Sequence, residues 1–365
     1  TGDLTINAAN TEGGTHGIYA KNYGTGALGI TTTGTTTGGV DGIKAANYFG
    51  TGALSITTTG TTTGGVNGIK AANSGTGALS ITTTGTTTGT SRSGIDAYDD
   101  DTGSIIIRAT GTTTGRTDGI SAFNYGGGAI SITTTGTTTG ETGQGIRALN
   151  VQYYDYARGT SLTINATDTT GETQGIYADN DGTGALSITT TGTTKGTSSY
   201  GIWADNSTAG TSLTINAEAT TGTQGIKALN NGTGALEITT TGTTTGTSSN
   251  GISAINSTAG TSLTINAATT TGGVFGIYAD NDGTGALSIT TTGTTTGTTY
   301  AGIYANNSAA GTSLKITAED TAGRQGIRAL NNGTGGLEIT TSGTTKGTSY
   351  YGIYAFMSNT ASTGD

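Results

Sequence analysis

The chain has 365 residues, of which 68 are Gly and 92 are Thr, and it contains neither Cys nor Pro. Only 31% of residues are hydrophobic and 10% charged, against about 45–50% and about 25% in ordinary globular domains, so neither a thick apolar core nor a charge-driven disordered tail fits. Without Cys there is no disulfide or thiolate metal site, without Pro and a strict Gly period no collagen helix, and a net charge of −9 with no basic stripe argues against nucleic acid as a partner.

No apolar run approaches the roughly 18 residues of a membrane-spanning helix. The sequence shows no basic-plus-apolar leader, so any targeting segment is expected to have been removed or to lie outside it.

From Leu4 onward one two-part phrase recurs. Its first half alternates, as in Ala53-Leu54-Ser55-Ile56-Thr57-Thr58-Thr59-Gly60; its second half reads Gly-Ile-x-Ala-x-Asn, as in Gly68-Ile69-Lys70-Ala71-Ala72-Asn73. The second phrase has fourteen copies, from Ile18 and Ile43 to Ile327 and Ile353, mostly 24 to 26 residues apart. Apolar residues two apart, β-branched Thr and Ile, and frequent Gly read as strands. A coil of about 25 residues cannot bury its own apolar row and must stack on its neighbours. The expected fold is therefore all-β, a single parallel β-helix solenoid over 1–365, with about fourteen coils. Leu54, Ile56, Ile69 and Ala71 should face inward. Inward Thr58 and Thr83 should bond neighbouring Thr hydroxyls or backbone carbonyls. Asn closes twelve of the fourteen second phrases, with Asp99 and Met357 as exceptions. Asn tolerates left-handed angles and bonds its own turn, and stacked Asn side chains can bond one another; a structural ladder is favoured over sugar binding.

Individual motifs follow in chain order. His16, the only His, reads as a solvated turn residue rather than a catalytic base. Gly24-Thr25-Gly26-Ala27-Leu28-Gly29 spells a dinucleotide fingerprint but opens a strand, where the phosphate site needs a helix. Asp99-Asp100-Asp101 reads as an exposed turn. Asn150 and Leu162 are twelve residues apart, where Asn230 and Leu236 are six apart, so 151–161 is a loop insertion. It carries Tyr153, Tyr154, Tyr156 and Arg158, types enriched at binding hot spots. Asp179-Asn180-Asp181-Gly182 and Asp280-Asn281-Asp282-Gly283 resemble fragments of calcium loops without the closing Glu; weak Ca²⁺ binding is the secondary reading after turn chemistry. No catalytic, cofactor or other metal residue is expected. In the C-terminal half, Gly-Thr-Gly-Ala-Leu coils alternate with Thr-Ala-Gly-Thr-Ser-Leu coils at 50 or 51 residues, the mark of a duplicated two-coil unit.

The Leu-x-Ile-Thr-Thr-x-Gly and Gly-Ile-x-Ala-x-Asn phrases, as in Leu186-Ser187-Ile188-Thr189-Thr190-Thr191-Gly192 and Gly201-Ile202-Trp203-Ala204-Asp205-Asn206, resemble the passenger repeats of bacterial autotransporters along essentially the whole chain. The resemblance implies a right-handed β-helix passed through a C-terminal translocator barrel and displayed on, or secreted from, a Gram-negative cell. It further implies an adhesin, self-association factor or other virulence factor.

The x position of Gly-Ile-x-Ala should point outward. It carries Tyr177, Trp203, Tyr278 and Tyr304, besides Tyr19, Tyr354, Lys44, Lys70, Lys227, Arg147 and Arg328. Tyr177 with Trp203, and Tyr278 with Tyr304, occupy successive copies and should form aromatic pairs. The expected role is contact, not catalysis, with a host-cell receptor, glycan or matrix component, or with a second copy of the chain. Two alternatives are an ice-binding array of outward Thr such as Thr57 and Thr59, interrupted by Arg108, Asn216 and Asn266, and a carbohydrate-active β-helix enzyme.

Overall fold

The computed structural model describes residues 2–152 and 158–358. The chain divides into two compact units, Thr1–Ala185 and Leu186–Asp365. Among the described residues each unit is a parallel β-solenoid of seven coils, and neither contains a helix.

A coil has three strands, where the sequence phrases suggested two; in two coils the first and second run together, as Leu186–Gly196 and Leu213–Gly222. Leu54–Thr58, Thr62–Gly64 and Asn67–Ser74 make up a coil with all three separate. The first and third are the two expected phrases; the second is a short Thr-Thr-Gly strand within what reads as a linker. Each strand pairs in parallel with its counterpart one coil on. In the first unit Leu4, Leu28, Leu54, Leu79, Ile105, Ile130 and Leu162 stand in one register. In the second, Leu186, Leu213, Leu236, Leu263, Leu287, Leu314 and Leu337 do the same. The insertion does not disturb this: Val151 N donates to Asn124 O, Thr160 N to Gly128 O, and Ile130 pairs with Leu162 as in any other coil. Tyr153, Tyr154 and Tyr156 lie outside the described residues.

The interior is as thin as the composition implies. Leu54, Ile56 and Ile69 are fully buried and Ala71 nearly so. The inward Asn side chains form a ladder in each unit. Asn Nδ2 donates to the next Asn Oδ1 at 2.9 Å from Asn22 to Asn47, and at 2.8 to 2.9 Å along Asn206, Asn230, Asn256, Asn281, Asn307 and Asn331. Each amide also serves its own turn, as when Asn230 Nδ2 donates to Gly234 O at 3.0 Å. Left-handed angles have no part in it: among the described residues only Phe49, at φ 60, has a positive φ, and no Gly does.

Three expectations are corrected. The inward Thr hydroxyls are not satisfied: Oγ1 of Thr58, Thr62, Thr83, Thr87 and Thr113, among others, is buried without a hydrogen-bond partner. Parallel rungs repeat at about 4.8 Å. A carboxamide, with acceptor and donor at its two corners, bridges that rise; a single hydroxyl oxygen does not. Asp99 is not in an exposed turn but is fully buried in the Asn row, where it accepts from Asn73 Nδ2 at 2.7 Å and from Asp101 N at 3.1 Å. His16 opens the strand His16–Asn22, stacks on Tyr19 at 5.1 Å, and brings Nδ1 to 3.4 Å from Oδ2 of buried Asp41, close but not aligned for a hydrogen bond.

Candidate binding surface

With Ile and Ala of Gly-Ile-x-Ala facing inward, x must face outward, and in-register pairing lines these residues up. The first unit reads Tyr19, Lys44, Lys70, Asp96, Ser121, Arg147, Tyr177. This row is largely charged: Lys70 Nζ lies 3.5 Å from Asp96 Oδ2, and Lys44 sits over the Tyr19 ring at 5.6 Å. The second unit reads Trp203, Lys227, Ser253, Tyr278, Tyr304, Arg328, Tyr354. Tyr177 is the last residue of the first unit's row and Trp203 the first of the second unit's.

The expected Tyr278–Tyr304 pair is present, its rings parallel within 2° and 5.1 Å apart. It belongs to a longer run. Phe275 packs against Tyr278, Tyr300 and Tyr304 at 5.4, 4.9 and 5.5 Å. The Arg328 guanidinium sits over the rings of Tyr304 at 5.7 Å and Tyr354 at 5.3 Å, and its Nη1 donates to the Tyr300 hydroxyl at 3.2 Å. Arg324 lies over Tyr350 at 5.1 Å and donates from Nη2 to its hydroxyl at 3.2 Å. Tyr300 and Tyr350 are 39% and 60% exposed. Burial, with the Asp280 carboxylate nearby, pushes the Tyr278 phenol up to about 12, so it stays protonated and donates to Asp280 Oδ2 at 3.4 Å. A smaller cluster at the start of this unit places Lys227 over Trp203 and Tyr200 at 5.0 and 5.5 Å.

Phe275, Tyr300, Arg324 and Tyr350 were not singled out from sequence. They occupy the corner between the Thr-Thr-Gly strand and the Gly-Ile phrase, where residue types vary and no period marks them. Arg158, the described end of the insertion, is exposed and donates from Nη1 to the Asp181 backbone oxygen at 3.2 Å. In the Asp280 turn, the Asn281 oxygen that a calcium loop would use accepts from Asn256 at 2.8 Å, and Asp280 Oδ1 accepts from Asn306 at 2.8 Å. Among the described residues no three of His, Asp and Glu gather to hold a metal ion.

Comparison of the chain with protein-family models, curated proteins and solved structures gives no match. The geometry itself limits the chemistry: stacked aromatic faces with guanidinium groups between them hold flat apolar surfaces and anions through dispersion, ring quadrupoles and charge-assisted hydrogen bonds.

Proposed function

We propose that the chain is an autotransporter passenger, carried to the surface of a Gram-negative cell or released from it, and that it acts as an adhesin by contact rather than catalysis. The observation that supports this most is the aromatic and cationic run from Phe275 to Tyr354, set on a rigid in-register strand face. Tyr and Arg concentrate binding energy where they are held rigid. The partner in this reading is a host-cell glycan or receptor. Beads coated with the folded chain should adhere to cultured host cells, and beads coated with the Tyr278→Ser/Tyr304→Ser variant should adhere several-fold less. Equal adhesion by beads carrying heat-unfolded chain would remove the reading. Fused ahead of a translocator barrel, the chain should become accessible to external protease.

Ice contact is a second reading, favoured by one specific feature. In the first unit the outward residue of the short strand is Thr in six successive coils, Thr37, Thr63, Thr88, Thr114, Thr139 and Thr170, without a break. Thermal hysteresis at micromolar protein tests it, and its absence would retire it.

A further inference from the structure

The corner before each Gly-Ile phrase varies in length. Four residues, Thr298 to Ala301, separate Gly297 from Gly302, and four, Thr348 to Tyr351, separate Gly347 from Gly352; the coil between them has only Arg324 and Gln325 between Gly323 and Gly326. A short corner between two long ones leaves a notch. It is a cleft of about 170 Å³ lined by Tyr300, Arg324, Gln325 and Tyr350. Pairing fixes the parts: Gln325 N donates to Tyr300 O and Tyr350 N to Arg324 O, so the tyrosines form the walls and Arg324 and Gln325 the floor.

A second short corner in the same unit supplies an internal comparison. Thr223 and Gln224 lie between Gly222 and Gly225, with the same backbone bonds from Gln224 N to Ser199 O and from Ser249 N to Thr223 O. Ser199 and Ser249 stand there where Tyr300 and Tyr350 stand in the notch, and Thr223 stands for Arg324. In that corner the glutamine is satisfied: Ser249 Oγ donates to Gln224 Oε1 at 3.4 Å. With Tyr350 in place of the serine, Gln325 Oε1 is buried without a partner, and so is Nε of Arg328 on the same strand. Neither Arg324 nor Arg328 has a carboxylate partner among the described residues.

We propose that this notch binds one carboxylate-bearing sugar residue, a hexuronate, of a larger glycan. The Arg324 guanidinium matches a planar carboxylate. The Tyr350 ring and hydroxyl hold that guanidinium in place, the Tyr300 wall takes the C–H face of the pyranose ring, and Gln325 Oε1 accepts from a ring hydroxyl. The volume lies well below the roughly 300–1,000 Å³ of drug-sized sites, so one residue enters and the rest of the chain lies along the neighbouring aromatic run. This assignment rests on the adhesin reading only for the source of the glycan.

Titration of the folded chain with methyl β-D-glucuronide, followed by saturation-transfer NMR, should give a Kd on the order of 1 mM, as befits so small a ligand. Methyl β-D-glucoside, glucose 6-sulfate and acetate should each bind at least about tenfold more weakly. Arg324→Gln and Tyr350→Ser should each weaken the glucuronide about tenfold or more with unchanged circular dichroism; the second restores the serine that the other corner already carries. Equal affinity for glucoside or acetate overturns the proposal, equal affinity for the sulfate overturns the carboxylate assignment, and wild-type affinity in both variants overturns the site. Bead adhesion separates the two readings: adhesion that survives Arg324→Gln leaves the adhesin standing without this site, whereas glucuronide binding without adhesion leaves the site standing and removes the adhesin.

Discussion

Asp99 occupies a place where its neighbours in the row carry an amide. Asn73 donates to it at 2.7 Å, but an ionised carboxylate has no proton to pass to Asn124, its register partner on the next rung. Burial raises its pKa from 3.8 to about 6, against the smaller lowering effect of the Asn73 bond. An acid whose pKa is raised by folding binds its proton more tightly in the folded state, so stability is greatest below the unfolded value and falls as pH rises from about 4 through about 6. A shift of this size corresponds to roughly 3 kcal/mol. Asp118, also raised chiefly by burial, adds to the trend in the same sense. Urea melts at pH 4.5 and 7.5 should show the wild type weaker at the higher pH, and Asp99→Asn should regain on the order of 2–3 kcal/mol there. Matching pH slopes in the two proteins would contradict this account. The inward threonines yield a second prediction at this scale. Thr87 Oγ1 is buried without a partner, so Thr87→Val keeps the β-branched shape, removes an orphaned hydroxyl and should stabilise by about 1 kcal/mol. Thr88→Val, half-exposed on the same strand, should leave the melting midpoint unchanged.

At the level of strands and corners, Gly acts here through close approach rather than through unusual backbone angles. A Cβ built on Gly251, at the head of a Gly-Ile phrase, would meet Thr270 Cγ2 at 2.6 Å and Gly276 O at 2.7 Å. Gly29, outward on Leu28–Thr32, would meet nothing within 4 Å. Gly251→Ala should therefore cost about 1–3 kcal/mol, while Gly29→Ala should be neutral or gain up to about 1 kcal/mol; thermal melts of the pair decide it, and equal effects would refute the close-approach role. The same contrast explains how far the sequence could be read. Rows with a residue type of their own, Leu54 above Leu28 or Asn73 above Asn47, were legible because period two and the coil repeat place them without further information. The Tyr278–Tyr304 stack was legible for the same reason. Thr62–Gly64 was not, because its Thr-Thr-Gly looks like the low-complexity residues around it. Nor was the notch, which needs both the difference in length between three successive corners and the tyrosines carried by the two long ones. The burial of Asp99 was hidden by its neighbours Asp100 and Asp101, whose company suggested a solvated turn.

Across a whole unit, the stacking makes each coil depend on its two neighbours and little else, so stability should be close to a sum of coil and interface terms. The second unit provides a clean test, since its turns alternate: the β-turn bonds from Gly210 N to Ser207 O, from Gly260 N to Ser257 O and from Gly311 N to Ser308 O recur at every other coil. Removing residues 236–286, one two-coil unit, joins Ala235 to Leu287, keeps that alternation and brings Leu213 beside Leu287, a Leu-on-Leu pairing the unit already uses. The amide row then runs from Asn230 to Asn307. Phe275 and Tyr278 are lost from the outer face, and Lys227 comes to lie beside Tyr304. The notch survives, because it is made by the three corners around Arg324 and none of them is touched. The shortened chain should keep its β-sheet circular dichroism and unfold with a urea m-value reduced in proportion to the coils removed. It should also retain glucuronide affinity within about threefold if the notch alone makes the contact. Loss of the β-sheet signal would show that coupling extends beyond adjacent coils, and loss of sugar affinity with the fold intact would show that the Phe275–Tyr278 stretch is part of the site.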